Sequence, residues 1–138
     1  MRILIDTNVI LDVLLDRKPY SIDASKLLKL PEDKVQKFIS ASAVTDIFYI
    51  ARRELKDKNI TIDLIKSLLR IVHVASVSEQ EIVLALNSGW IDFEDSVQNS
   101  VAESNNFDII ITRNQKDFSN SKLTIKSAME FMQNWIIS

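Results

Sequence analysis

Short apolar runs alternate with amphipathic segments of helix length along the sequence, and this alternation constrains the fold more than any other feature. The runs expected to form strands are 3–5, 37–41, 71–74, 107–112 and 123–125. Parallel strands need crossover connections of about a dozen residues, usually helices, and the intervening segments supply them. The sequence therefore predicts βαβ units and an α/β fold of three layers, α/β/α, around a mostly parallel sheet of four to five strands.

Capping and turn residues set the expected boundaries of the helices. We predict helices at 9–15, 21–30, 42–56, 78–87 and 127–137, with two more that open at Thr61 and Phe93. Pro19 and Pro31 flank the second helix, because proline disfavours helix at the residue before it. The helix at 42–56 places Asp46 in its first turn, beside an apolar stripe with the spacing of a buried face. A similar stripe begins at Phe93.

The composition fits one domain and removes several kinds of chemistry. The 138 residues, 46% of them hydrophobic, fit a single domain over 1–138, and a net charge of −2 gives no global basic field for nucleic acid. The absence of cysteine excludes thiolate metal sites and cysteine nucleophiles. The one glycine, Gly89, excludes glycine-rich phosphate loops, which need several glycines. The one histidine, His73, lies in a predicted strand, where we expect a structural role.

The sequence also bears on location. It has no run of about 18 apolar residues, so no membrane span is expected. Arg2 is followed by only three apolar residues before Asp6, which does not fit a signal peptide. Together with the lack of cysteine, these features favour a cytoplasmic protein.

Acidic residues occur where predicted strands end and where one predicted helix begins. Asp6 ends the first strand, and the polar segment 112–117 follows the fourth. Asp92, Glu94 and Asp95 open the helix that precedes the fourth strand. Because strand C-termini and helix N-termini meet at one edge of a parallel α/β sheet, we expect these acids to converge.

Converging carboxylates point to a hard, oxygen-bound cation. Ionised carboxylates within about 4–6 Å of each other raise one another's pKa, and a divalent cation relieves that repulsion. Mg²⁺ takes oxygen ligands and commonly uses a few carboxylates together with substrate phosphate. It lowers the pKa of bound water and stabilises displacement at phosphorus. The acids therefore favour hydrolysis of a phosphodiester.

Each acid also has a simpler explanation. Acids in the first turn of a helix are favoured by the helix dipole and by capping, whether or not anything binds. This applies individually to Asp46, Asp92, Glu94 and Asp95. Asn114 and Asp117 are common turn formers. Asp12 and Asp16, further along the first helix, are expected at solvated or C-terminal positions and are left out of the site.

Three segments resemble the PIN-domain family of small metal-dependent ribonucleases, which includes the VapC-type toxins of toxin–antitoxin pairs. They are ILIDTNVILD at 3–12, DFED at 92–95 and TRNQKDF at 112–118. The similarity extends over essentially the whole chain in length, element order and motif spacing. It implies a PIN-like fold and a ribonuclease that uses Mg²⁺ or Mn²⁺.

The resemblance also implies roles for individual residues. The implied metal ligands are Asp6, Asp95, Asp117 and Asn114, the implied catalytic residues are Asp6, Asp46, Asp95 and Asp117, and the implied supporting residues are Asn8, Thr112 and Asp92. Asp46 stands where the family usually carries a Glu, with one methylene less reach. Asn114 stands where many relatives carry an acid, so Asp117 is expected to supply that charge.

The sequence leaves three functions open. The leading hypothesis is an endoribonuclease, the toxin of a toxin–antitoxin pair, with RNA as substrate and an antitoxin as partner. A homodimer is also expected, since relatives pair through helices and the apolar closing helix is available. The second hypothesis is a catalytically weak PIN domain that binds nucleic acid or protein, because of Asp46 and Asn114. A phosphatase or phosphoacceptor domain is disfavoured, because Asp6-Thr7-Asn8 lacks the second acid that such phosphatases use.

Overall fold

The computed structural model describes the backbone of residues 1–137 and the side chains of residues 1–135, so Ser138 of the expected domain lies outside the described residues. The strands are β1 (Arg2–Ile5), β2 (Gln36–Ser40), β3 (His73–Ala75), β4 (Ile109–Ile111) and β5 (Thr124–Lys126). The helices are α1 (Thr7–Leu14), α2 (Tyr20–Leu28), α3 (Ala41–Leu55), α4 (Lys58–Leu68), α5 (Glu79–Leu86), α6 (Phe93–Ser104) and α7 (Ala128–Ile137). A 3-10 turn, Gln115–Phe118, follows β4. Within residues 1–137, none of these helices has the length and apolar character needed to cross a membrane.

Every strand pairing in the sheet is parallel, and β1 lies in the middle. The strand order is β3-β2-β1-β4-β5. The chain proceeds outward from β1 through β2 to β3, then returns to place β4 on the other side of β1. In open α/β sheets, ligands bind outside the carboxyl ends of the strands at such a reversal. The expected parallel α/β/α fold is confirmed, including the short last strand.

The two faces of the sheet bury separate apolar clusters, because successive side chains of a strand point to opposite faces. On one face, Ile3 and Ile5 pack with side chains from α1, α2, α3 and α7. On the other, Leu4 and Ile110 pack with side chains from α5 and α6. Ile3, Leu4 and Ile5 are all 0% exposed, as predicted for a strand buried on both faces.

Helices α1, α2, α3 and α4 begin earlier than predicted. In α3 and α4 this is because residues before the expected starts supply the capping oxygens. The Ser40 hydroxyl accepts a hydrogen bond from Ser42 N at 3.2 Å, and α3 begins directly after Ser40. Asp46 therefore lies in the second turn of α3 rather than the first. The Asp57 carboxylate caps α4, so Thr61, the expected start, is a buried residue inside that helix.

Two side chains contradict the predicted pattern of burial. Asp12, expected in solvent, is 1% exposed, with its Oδ2 atom 2.8 Å from Arg113 Nε. This ion pair joins residues 101 positions apart, so the local sequence gives no sign of it. Phe93, expected on the buried face of α6, is 49% exposed, because that face begins at Val97, one turn later.

Candidate functional site

An acidic pocket of about 410 Å³ lies at the carboxyl edge of the sheet, beside the ends of β1 and β4. Its lining residues are Asp6, Thr7, Asn8, Asp46, Ile50, Asp92, Glu94, Asp95, Asn114 and Asp117. Every residue that the sequence assigned to the site lines this pocket except Thr112, which is buried beneath it and bonds to Asp6. The acids from four separate segments therefore meet at one edge, as the parallel topology requires.

Asp6 is the fixed centre of the pocket. It follows β1 and is only 4% exposed. Its Oδ1 atom accepts a hydrogen bond from Gln98 Nε2 at 3.0 Å, and its Oδ2 atom accepts one from Thr112 Oγ1 at 2.9 Å. Asp6 occupies the N-cap position of α1, yet its carboxylate makes no capping bond. The carboxylate is therefore held by distant parts of the chain rather than by its own helix.

Glu94, Thr7 and Gln98 belong to the site, although the family resemblance assigned a role to none of them. Glu94 Oε1 accepts hydrogen bonds from Thr7 Oγ1 at 3.0 Å and from Gln98 Nε2 at 3.2 Å. Gln98 is 0% exposed and bridges Glu94 to Asp6. The spacing of Glu94 and Gln98, one helical turn on α6, was the available signal, since residues at i and i+4 share a helix face.

Burial and mutual repulsion raise the pKa of several of these acids. Burial raises the pKa of Asp95 to about 7, with further increases from the charges of Asp6, Asp92, Asp117 and Glu94. Burial also raises the pKa of Glu94 to about 7, and the Asp46 carboxyl adds to that increase through repulsion and a hydrogen bond. The pKa of Asp6 is raised by burial, against the lowering effect of its hydrogen bonds to Gln98 and Thr112. The pocket thus carries more negative charge than the hydrogen-bond donors around it compensate.

The remaining predicted residues form the rim. Asp92 is exposed and caps α6, because its Oδ1 atom accepts a hydrogen bond from Asp95 N at 2.9 Å. Asn114 and Asp117 are exposed at the 3-10 turn after β4. Asn114 N donates to Thr112 Oγ1 at 3.0 Å, which ties this turn to the Asp6 network. Asn8 is half-buried on the first turn of α1.

The side-chain atoms that could bind a metal in this pocket suit a hard cation. They are carboxylate and amide oxygens, whereas His73 pairs with Glu32 and does not line the pocket. Among residues 1–137, no three His, Cys, Asp or Glu side chains are arranged so that they could hold one ion together. Mg²⁺ commonly binds through one or two carboxylates and keeps several waters, so the donor set fits that mode rather than a closed protein cage.

Solved structures with a similar fold include proteins described as toxins or as toxin–antitoxin complexes. The Rickettsia felis VapBC2 structure, bound to a DNA fragment from its promoter, has a TM-score of 0.73 and 16% identity and covers 92% of this chain and 98% of its own. A toxin–antitoxin complex from Klebsiella pneumoniae has a TM-score of 0.66 and 22% identity, covering 91% and 96%. The Mycobacterium tuberculosis sarcin-ricin loop cleaving toxin VapC20 has a TM-score of 0.63 and 14% identity, covering 78% and 86%. At these identities the likeness concerns the fold.

The sequence itself is similar to a known family. No curated protein sequence matches the chain. The family model of the PIN domain matches residues 2–116, which include β1, the acids of α3 and α6, and the first half of the turn after β4; Asp117 lies just beyond the match. This match spans most of the 138 residues and agrees with the resemblance of the three motifs. The chain belongs to the PIN-domain family.

Proposed function

We propose that the chain is a divalent-metal-dependent endoribonuclease that hydrolyses RNA phosphodiesters. The observation that carries the proposal is the meeting of Asp6, Asp95 and Asp117 in one pocket, where repulsion adds to the raised pKa of Asp6 and of Asp95. Binding of a divalent cation relieves such repulsion. Membership of the PIN-domain family and a fold similar to that of an RNA-cleaving toxin support the same function.

Each group of side chains has a role in this proposal. Asp6, Asp95, Asp117 and Asn114 are the candidate ligands for Mg²⁺ or Mn²⁺. One or two of the carboxylates would bind the ion directly, and the other groups would bind it through its waters. When bound, the ion supplies an activated water and stabilises charge at phosphorus. Thr112 fixes the Asp6 carboxylate from below, while Asn8 and Asp92 support the rim.

Asp46 and Glu94 form a second acidic pair in the pocket. Burial, followed by repulsion and a hydrogen bond from Asp46, raises the pKa of Glu94 to about 7. Thr7 and Gln98 hold Glu94 in place through its Oε1 atom. A carboxyl that titrates near the working pH is well suited to proton transfer in hydrolysis. We assign this step to the pair formed by Asp46 and Glu94.

Cleavage of structured RNA tests the proposal. We expect cleavage with Mg²⁺ or Mn²⁺, loss of cleavage with a chelator, and loss in Asp6→Asn and Asp95→Asn. Asp63→Asn is the matched control, because Asp63 is an exposed acid of α4 that does not line the pocket. Undiminished cleavage in both site variants would contradict the assigned residues, and chelator-resistant cleavage would contradict the metal.

A second function, a catalytically weak PIN domain that binds nucleic acid or protein, is favoured by one observation. Asn114 is an amide, and the described side chains contain no ready three-ligand group. Calorimetric titration with Mn²⁺ separates the two functions. Binding of RNA by folded protein that takes up no Mn²⁺ would favour the binding module, whereas Mn²⁺ uptake that Asp95→Asn abolishes would favour the nuclease.

We also propose an antitoxin protein as partner. Structures with a similar fold include a toxin–antitoxin complex, which supports this partner without identifying it. Co-purification with the product of the upstream neighbouring gene tests it. A homodimer stays a prediction, and sedimentation equilibrium tests it. In α7, Phe131 and Met132 are buried in the core of the chain itself, so a dimer would have to use other apolar side chains.

A further inference from the structure

A second pocket, of about 330 Å³, lies beside the acidic pocket, and we call it the aromatic pocket. Asn114 lines both pockets, so they are adjacent at the turn after β4. Apolar side chains form much of the wall, among them Val9, Ala24 and Met129. Its volume is at the small end of the range for ligand pockets, roughly 300–1,000 Å³.

Tyr20 provides an aromatic surface in this pocket. The side chain is 50% exposed, although it opens a helix packed against the core. The Arg113 guanidinium lies over the ring, with its carbon 4.1 Å from the ring centroid. One face of the ring is therefore covered by a cation, while half of the residue remains open to solvent.

Asp12 holds Arg113 in this position. Arg113 Nη2 donates a hydrogen bond to Asp12 Oδ1 at 3.1 Å, and Arg113 Nε lies 2.8 Å from Asp12 Oδ2. The second contact is an ion pair without hydrogen-bond geometry, since neither atom has a hydrogen-bond partner among the described residues. Asp12 is buried and also lies 3.9 Å from Arg17 Nη1, so its one negative charge is shared by two guanidiniums, and Arg113 offers both a flat surface and part of its charge. The stacked pair is thus fixed before any ligand arrives.

We infer that the aromatic pocket binds an unpaired nucleobase of the RNA substrate, stacked on Tyr20, next to the phosphate that is cleaved. This inference rests on the proposed nuclease function. Unpaired bases characteristically stack on aromatic rings and arginine planes. A strand that passes Asn114 places a base in the aromatic pocket and the adjoining phosphate in the acidic pocket. Asp23 and Asn114 add polar groups for the edge of the base.

Another pocket adjoins the acidic pocket. It has a volume of about 280 Å³, shares Asp92 and Asp117 with the acidic pocket, and is also lined by Trp90 and Lys116. Segment 113–117 therefore contributes to all three pockets in turn. All three pockets adjoin this one short segment, and an extended single strand can contact them in succession more readily than the rigid surface of a duplex can.

Binding of RNA to a cleavage-deficient background tests the inference. The probe is a short single-stranded RNA oligonucleotide, bound in chelator to Asp95→Asn protein so that no metal contributes, with a single abasic nucleotide placed at each position in turn. We expect Tyr20→Leu to weaken binding about tenfold, with most of the affinity restored in Tyr20→Phe. Tyr49→Leu is the matched control, since Tyr49 is the other tyrosine and is 67% exposed on α3.

The abasic scan separates stacking from a general effect of the substitution. We expect one position to lose affinity when its base is removed, and that loss to disappear in Tyr20→Leu, as expected for coupled partners. If removal of each base costs the same affinity with Tyr20 present and in Tyr20→Leu, the inference is overturned. The inference would also be overturned if Tyr20→Leu left the RNA affinity unchanged and abolished binding of a protein partner, because the pocket would then bind a peptide.

Cleavage kinetics distinguish failure of this inference from failure of the proposed function. With Asp95 intact, we expect Tyr20→Leu to raise KM about tenfold and change kcat by less than about threefold. Metal-dependent cleavage with an unchanged KM in Tyr20→Leu would contradict the nucleobase pocket but not the nuclease function. RNA binding that depends on Tyr20, in a protein that never cleaves RNA, would contradict the nuclease function but support the nucleobase pocket.

Discussion

The Asp6 carboxylate depends on two side chains that lie 92 and 106 positions later in the sequence, Gln98 and Thr112. Their hydrogen bonds oppose the increase in the pKa of Asp6 that burial causes. The pKa values of the neighbouring carboxyls Glu94 and Asp95 are each raised to about 7, with burial as the largest cause. At the scale of single residues, the site therefore carries destabilising charge until a cation or a proton binds.

A first prediction concerns pH. The folded-state pKa values of Asp95, Glu94, Asp6 and Asp12 are raised, so the folded protein binds these protons more tightly than the unfolded chain does. Stability in chelator should therefore fall as the pH rises from about 4 to about 7. Thermal melts across this range measure it. Glu81, whose pKa is lowered, acts below this window with the opposite sign.

The variant Asp95→Asn is expected to flatten this pH dependence. Discounted for the partial exposure of Asp95, the gain in stability at about pH 8 without metal should be about 1 kcal/mol. Mg²⁺ should stabilise the parent protein and not the variant at that pH. If the melting temperature of Asp95→Asn fell more steeply with pH than that of the parent, the raised pKa of Asp95 would not be the cause of the pH dependence.

A second prediction concerns Thr112. Thr112→Val preserves the shape of the side chain but removes the donor to Asp6 Oδ2 and the acceptor for Asn114 N. Leaving these groups without their partner should cost about 1–3 kcal/mol of unfolding free energy. Thr45→Val on the exposed face of α3 should change it by less than about 0.5 kcal/mol. Urea denaturation compares the two, and equal effects would contradict the role of Thr112.

At the scale of elements, the three acids at the start of α6 have two different roles. Asp92 caps the helix, while Glu94 and Asp95 on its first turn reach into the pocket. The dipole of the helix favours acids here irrespective of any ligand, so the sequence did not separate the cap from the site residues. Asp46 differs, because it lies beyond the first turn of α3 and has no such explanation.

A third prediction separates the cap from the metal site. Asp92→Asn retains a good capping side chain, so stability should be kept, whereas Asp92→Ala should lose about 1 kcal/mol. Mn²⁺ affinity should remain close to that of the parent in Asp92→Asn if Asp92 only supports the rim. Calorimetry and denaturation of both variants provide the measurements. A large loss of Mn²⁺ affinity in Asp92→Asn would make Asp92 a ligand instead.

The sequence predicted the strands well and several helix starts poorly, for physical reasons. Buried parallel strands are continuous apolar runs, and these are visible locally. The start of α4 was predicted at Thr61, whereas the helix begins at Lys58 because the Asp57 carboxylate caps it; Asp and Thr are both residue types that cap helices. The convergence of acids followed from the parallel topology. Gln98 was missed: its spacing from Glu94 indicates that the two share a face of α6, but nothing local indicates its hydrogen bond to Asp6, which lies 92 positions away.

At the scale of the whole molecule, the central position of β1 links its packing to the site. Its apolar residues are buried on both faces, and Asp6 follows directly. A substitution that disrupts the packing of β1 should therefore alter the acidic pocket, whereas one in β5, at the edge of the sheet, should alter it less.

A fourth prediction follows. Leu4→Ala should cost about 2–5 kcal/mol of unfolding free energy, as for large-to-small changes in a packed core. Ile125→Ala on β5, where the side chain is only partly buried, should cost less. Chemical denaturation gives both values. A larger cost for Ile125→Ala would show that the edge strand, rather than β1, governs stability.

The strand order has a consequence for the chain during its synthesis. β1 emerges first, but its neighbour β4 and the turn that carries Asn114 and Asp117 come more than a hundred residues later. A nascent chain that ends before Thr112 lacks the donor to Asp6 Oδ2 and one wall of the acidic pocket. If the proposed nuclease function holds, such a nascent chain cannot cleave RNA, so activity should appear only after the segment from Thr112 to Asp117 has been made and folded.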